Sequence, residues 1–375
     1  MPDFWPNHQK KLHWRVFLRN LIMLYHLPAS IIGIKFAHLM HYVSVRIIAA
    51  LMSSLTLSFI FGGPFLSWCK VTFLAKPREF TPANHQAKGS VPTMGGLLIV
   101  GVFLTNTLLW NNLLKLEVWL LVGCILGFGA IGFYDDWQKV FSKKGIPSWT
   151  KFFLQLTMAS IITGAWFVYC QPQTHMFVPI FKSLDFNIGL LLIPWSIFIM
   201  IGASNAVNLT DGLDGLATGP LITSLGTYGL IAYLTGHKIF AGHLHLPFTN
   251  TSELAICAAS LIGALIGFLW YNTYPAQIFM GDVGALALGA GLGFIALATR
   301  QELLLPIVGG IFVIETLSVI IQMTSYKLRG RRFFLMAPIH HHFELAGWNE
   351  AKITIRFWII SFILALITLL FLKIR

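Results

Sequence analysis

"IIAALMSSLTLSFIFGGPFL" occupies Ile47–Leu66, twenty residues without a charged side chain. A run of about 20 apolar residues crosses the hydrocarbon core of a bilayer as a helix. Inside hydrocarbon, only a helix or a closed barrel satisfies its own backbone. The run is continuous and does not alternate, which excludes a barrel strand.

Outward from this stretch, the same reading applies at approximately 94–110, 118–134, 152–170, 189–203, 215–234, 254–271, 284–298, 303–323 and 357–372. The predicted fold class is therefore all-α: a polytopic membrane protein with about ten transmembrane helices. Composition agrees, with 56% hydrophobic and 11% charged residues and a mean hydropathy of +0.73. Soluble domains carry charge on roughly a quarter of their residues. Leu21–Met40 is also apolar, but His26, Pro28, Lys35 and His38 interrupt it. Such polar content suits an interfacial helix within an N-terminal extension, residues 1–43. Residues 44–375 then form a single membrane-embedded domain. Lys10, Lys11, Arg15 and Arg19 mimic the start of a signal peptide, yet no small-residue cleavage site follows.

The net charge of +12 raises the question of nucleic acid. Its basic residues flank apolar runs and form no single solvated patch, so the expectation is no nucleic-acid partner. Cys69, Cys124, Cys170 and Cys257 lie in or beside apolar runs without metal-ligand spacing and read as buried thiols. Ten spans leave nine loops. The odd-numbered loops carry fourteen Lys and Arg against four on the even ones, so the odd loops are predicted to be cytoplasmic. The first 46 residues oppose this count with six further basic residues on the other side. A true span at Leu21–Met40 would return most of them.

Five polar clusters fall on odd loops: "KGSVPTMGG" (Lys88–Gly96), "YDDWQKVFSKK" (Tyr134–Lys144), "NAVNLTDGLDG" (Asn205–Gly215), "NTYPAQIFMGDVG" (Asn272–Gly284) and "MAPIHHHFE" (Met336–Glu344). They hold five of the seven aspartates, which places the chemistry on one membrane face. Asp135 and Asp136 read either as an interfacial helix end or as a pair that repels unless a cation or proton intervenes. Lys139 and Lys143 follow at helical spacing. Asp211 and Asp214 read either as a helix start or as an oxygen-rich face at i, i+3, with Asn205 and Asn208 repeating that spacing upstream. Such a patch suits Mg²⁺, which takes carboxylates together with substrate phosphates and water. Asp282, between Gly281 and Val283, is either a turn residue or a functional acid. Phe279 is either core or a stacking platform for a base. His340, His341 and His342 lack the partners of a zinc site and fit phosphate or polar-group hydrogen bonding better.

In order and content, "PTMGG", "DD", "NAVNLTDGLDGLA", "NTYPAQIFMGDVG" and "MAPIHHHFE" resemble the MraY family of bacterial phospho-N-acetylmuramoyl-pentapeptide transferases. "ETLSVIIQ" and "KITIRFWIISF" extend the likeness, which covers about residues 45 to 375. The resemblance implies a ten-span enzyme of the bacterial inner membrane with its active site facing the cytoplasm. It implies transfer of phospho-MurNAc-pentapeptide from UDP-MurNAc-pentapeptide to undecaprenyl phosphate, giving lipid I and UMP for peptidoglycan synthesis. Mg²⁺ would be required, and a homodimer is suggested. By motif position, Asp135, Asp136, Asp211 and Asp282 would be catalytic, with Asp282 the metal ligand. Lys88, Thr93, Lys139, Lys143, Asn205, Asn208, Asp214, Asn272, Phe279, Gly281, Gln322, His340, His341 and His342 would bind substrate. Ala285 stands where many relatives carry Ser. A UDP-GlcNAc polyprenyl-phosphate transferase shares the aspartates but not "APIHHHFE". An ion-coupled transporter would place its acids near mid-membrane.

Overall fold

The computed structural model describes residues 39–73, 91–142, 144–178 and 185–373. The expected interfacial helix falls almost wholly outside them, as do Lys88 and Lys143. Each of the ten apolar windows is realised as helix. In chain order these are α1 (Val43–Thr72), α2 (Gly96–Trp110), α3 (Leu116–Ser142), α4 (Ser148–Cys170), α5 (Leu192–Thr210) and α6 (Thr218–Thr235). After the short α7 (Lys238–Leu244) come α8 (Ser252–Asn272), α9 (Gly281–Ala298), the one-turn α10 (Leu305–Val308) and α11 (Gly310–Arg329). The short α12 (Ile339–Leu345) and the terminal α13 (Glu350–Lys373) complete the described chain. Between α4 and α5, strands β1 (His175–Phe177) and β2 (Asp185–Asn187) pair antiparallel, with Met176 opposite Phe186.

Among the described residues, eight helices are long and apolar enough to cross a membrane, and α2 is a shorter apolar helix. α6 has the length, but its threonines and glycines dilute its hydropathy. The protein is a multi-pass, all-α membrane protein.

Several helices run past their windows, α5 to Thr210 and α13 from Glu350 among them, and two further differences shape the bundle. The window 303–323 is interrupted at Gly309 alone, which ends the single turn of α10 at Val308 before α11 starts at Gly310. The window 118–134 stops at charge, whereas α3 continues two further turns, because Trp137, Val140 and Phe141 keep an apolar face turned away from the aspartates.

Buried positions on α1 (Arg46, Ala50, Ser54, Ser58, Gly62, Leu66, Cys69) recur at helical spacing and are mostly small. That stripe lies on α8. A Cβ on Gly263 would sit 2.3 Å from the Leu51 carbonyl, and one on Gly267 would sit 2.2 Å from the Ser58 Cβ. Small residues let helices approach closely where lipid offers no hydrophobic drive between them. α9 is the innermost helix, with 89% of its span buried, and packs on α3 and α5. After Asp282 it is uncharged and apolar on every face, as a helix at the centre of a bundle must be. The C-terminal end of α3, the C-terminal end of α5 and the N-terminal end of α9 thereby meet at one end of the bundle.

Candidate active site

Asp135 and Asp136 are not an end cap: both lie inside α3 and each is only 3% exposed. Asp135 accepts a hydrogen bond from the Ile146 N–H at 2.7 Å, which draws the loop before α4 over the carboxylate. Its second oxygen lies 2.9 Å from Lys139 Nζ and 3.1 Å from Lys151 Nζ. Both ammonium groups also meet Asp282 Oδ2, Lys139 at 3.0 Å and Lys151 closer still. Asp136 bonds Lys139 at 3.3 Å and accepts the Val283 N–H at 3.4 Å. Two lysines and three carboxylates from α3, α4 and α9 thus share one knot.

Asp282 sits in the first turn of α9, where unpaired N–H groups and the helix dipole favour negative charge. Gly281 precedes it at φ +72°, and a Cβ there would lie 2.4 Å from Asp136 Oδ2 and 2.7 Å from Thr93 Oγ1. Only glycine meets both demands. The neighbouring backbone is fixed by Phe279 N–H to the Pro92 carbonyl, and by the Gly95 and Gly96 N–H groups to the Phe279 and Met280 carbonyls. The Phe279 side chain is half-buried.

Asp211 is the C-cap of α5, not a helix start, since α6 begins at Thr218. The chain between them is turn, so Asp211 and Asp214 do not share a helical face. The Asp211 carboxyl faces the Gly281 N–H, which favours its charged form. Burial, with Asp282 and Asp136 adding like charge, pushes its carboxyl up to about 7. Asp214 turns the other way: it is buried, and it accepts the Ala276 N–H at 2.9 Å. Asn272 is likewise buried, donating to the Ile278 carbonyl at 2.9 Å and accepting from Thr218 Oγ1 at 3.0 Å. These two side chains shape the 273–280 loop.

A cavity of about 730 Å³ opens beside the knot. Asp135, Asp282, Lys139 and Lys151 form its charged wall, Gln155, Asn205 and Asn208 a polar one, and Phe152, Ile146 and Leu209 an apolar one. Asn205 and Asn208, one turn apart on α5, both reach it. Asn205 is steadied by Gln155 at 2.9 Å and by the Ile201 carbonyl.

Of the C-terminal residues, His340 is wholly buried, with Nδ1 3.1 Å from Glu315. His341 Nδ1 meets Glu344 at 2.6 Å, and His342 accepts the Leu335 N–H. Gln322 is engaged by the Phe333 and Phe334 backbone.

Lys151 and Gln155 are absent from the sequence-derived candidates. Lys151 counts there only toward loop charge; its spacing from Gln155, one turn apart at the start of α4, is the available signal.

Among the described residues, no three His, Cys, Asp or Glu side chains converge to enclose a metal ion alone. Asp135 and Asp282, however, already converge on the same cationic centres. Two carboxylates, with phosphate and water as further donors, are the ligand set that Mg²⁺ takes. The donors fit that ion.

Residues 118–300 match the model of glycosyl transferase family 4. The chain is also 45% identical, over 359 residues, to a phospho-N-acetylmuramoyl-pentapeptide-transferase of Geobacter sp. (strain M21). That alignment covers 94% of this chain and 100% of the relative. The chain belongs to the phospho-N-acetylmuramoyl-pentapeptide-transferase family.

Proposed function

We propose that the protein transfers phospho-MurNAc-pentapeptide from UDP-MurNAc-pentapeptide to undecaprenyl phosphate, forming lipid I and releasing UMP. The observation that carries this reading is the knot of Asp135, Asp136, Asp282, Lys139 and Lys151 at one end of a membrane bundle, beside a cavity with both polar and apolar walls. Both reactants carry phosphate, and one carries a polyprenyl tail. Their reacting groups can meet only where lipid gives way to water. Loop charge supports the cytoplasmic side of a bacterial inner membrane.

An oxygen of the lipid phosphate attacks the β-phosphorus of the sugar nucleotide. The bond from that phosphorus to the bridging oxygen breaks, and UMP leaves with the electron pair. Lys139 and Lys151 neutralise the phosphates as they approach. Asp135 takes any proton remaining on the attacking phosphate. Asn205 and Asn208, which line the cavity, offer amide groups to the nucleotide or sugar, while Thr93, beside Gly281, and Phe279 join the substrate-binding set by motif position. Asp211 faces the Gly281 N–H and so braces the turn that presents Asp282. Asp282, with Asp135, would hold Mg²⁺, which when bound supplies charge neutralisation to the phosphoryl oxygens. Lys88, Lys143, His341 and His342 join the substrate-binding set by motif position alone.

The test is an assay of purified protein with undecaprenyl phosphate and either UDP-MurNAc-pentapeptide or UDP-GlcNAc. Product only with the second nucleotide would overturn the assignment. Exchange of labelled UMP into the sugar nucleotide without lipid phosphate would replace direct attack by an enzyme-bound intermediate.

A further inference from the structure

The loop carrying Asp211 is held by a small cluster separate from the main core. Leu213 and Leu216 of the loop pack with Ile311 of α11 and with Ile353 and Phe357 of α13. Beside this cluster lie Glu315 of α11 and His340 of α12, each 0% exposed, with His340 Nδ1 3.1 Å from the Glu315 carboxylate but outside hydrogen-bond geometry, so that the polar atoms of both side chains have no other partner than this charge contact. Ile311, Glu315 and Ser318 form the inward face of α11, while Ile314, Leu317 and Ile321 remain exposed. Glu315 therefore faces protein and not lipid.

A carboxylate so buried is costly without a partner. What the partner touches next is informative: a methyl group on Gly212 would lie 2.3 Å from His340 Nε2 and 2.7 Å from Cε1. The imidazole thus bears directly on the backbone of the residue after Asp211. The ring of His341 closes over it at 4.2 Å.

We infer that Glu315 is a positioning residue for the transfer reaction: it holds His340 against Gly212, and through that contact fixes the loop from which Asp211 faces the Gly281 N–H. His340, having no exposed surface, acts through the same contact. The inference rests on the transferase reading above. It assigns to the "ETLSV" stretch of α11 a role in aligning a site that it does not touch.

The test uses the full chain in detergent or nanodiscs, with Glu315→Gln, His340→Gln and the double variant. Turnover is measured with UDP-MurNAc-pentapeptide and undecaprenyl phosphate, and melting temperature is recorded for each variant. Misplacing reacting groups by about 1 Å costs on the order of 100-fold. Each single variant is expected to lose kcat on that order with KM for the nucleotide little changed, and the double variant is expected to lose no more than the worse single. Wild-type kcat in Glu315→Gln, or a double loss equal to the product of the singles, overturns the inference. Should Glu315→Gln melt early, Gly212→Ala gives a separate answer. It must lower kcat alone, yet add no loss on top of His340→Ala, which removes the clash; an added loss overturns the inference. A wild-type protein inactive on these substrates sinks the functional reading instead.

Discussion

The two ends of the bundle each bury an ion pair network, and the networks are built differently. At the end away from the cavity, Arg46 forks onto Glu253 at 2.8 and 2.9 Å and donates to the Trp110 carbonyl at 3.0 Å. Glu253 also accepts the Asn112 N–H at 2.8 Å, while Asn111 donates to its backbone carbonyl at 2.9 Å. One planar cation meets one carboxylate, and the pair is 2% and 8% exposed. At the other end, three carboxylates share two lysines, and the lysines keep 28% and 18% of their surface. Arginine forms rigid bidentate pairs, whereas the lysine ammonium is a mobile point charge on a flexible stem. The first network ties α1, α2 and α8 together. The second leaves its cations free to turn from carboxylate to an arriving phosphate.

This contrast can be broken most sharply at Asp282. Asp282→Asn should lower turnover by roughly 10³-fold, the scale of losing a preorganised charged group, while the purified protein still melts cooperatively. Near-normal turnover would remove Asp282 from the site. Lys151→Met should follow at on the order of 100-fold, and Lys151→Arg should restore little, because a fork cannot occupy the space between Asp135 and Asp282. Full rescue by arginine would mean that charge alone matters there.

The opposite end should respond in the other currency. Glu253→Gln should leave turnover per folded molecule unchanged but destabilise the protein by about 3 kcal/mol, since Arg46 would stay buried without its counter-charge. Thermal unfolding in detergent measures this, and a selective loss of kcat would erase the distinction between the ends.

The smallest effect concerns pH. Burial and like charge lift Asp211 to about 7 in the folded protein, above its unfolded value. The folded state then binds the proton more tightly, so stability is greatest at low pH and declines as pH rises toward 7. The melting temperature without Mg²⁺ should fall across that window, and Asp211→Asn should flatten the slope. An unchanged slope would show that Asp211 is not so confined.

Much of this was legible from residue order. All ten apolar windows became helices, and the acidic motifs at 135–136 and 282 meet at one end, as their placement on odd loops requires. What misled was local pattern without partners. Asp135 and Asp136 look like a helix terminus because the apolar window stops there, yet α3 runs on with its aspartates turned inward. Asp211 and Asp214 look like one helical face, yet a turn sends the first to Gly281 and the second to Ala276. Lys151 looks like a membrane-anchoring charge until α4, packed on α3 and α5, is seen to carry its ammonium to Asp282.

Residue order alone determined a bundle of membrane-crossing helices with five of its seven aspartates gathered in clusters on one face, because hydrocarbon tolerates neither open backbone nor stranded charge. Tertiary structure alone decided which acids share a cation, which brace a loop, and that Glu315 and His340 meet beneath Gly212. Those outcomes depend on the packing of segments far apart in the chain, and no local spacing encodes the distance between such segments.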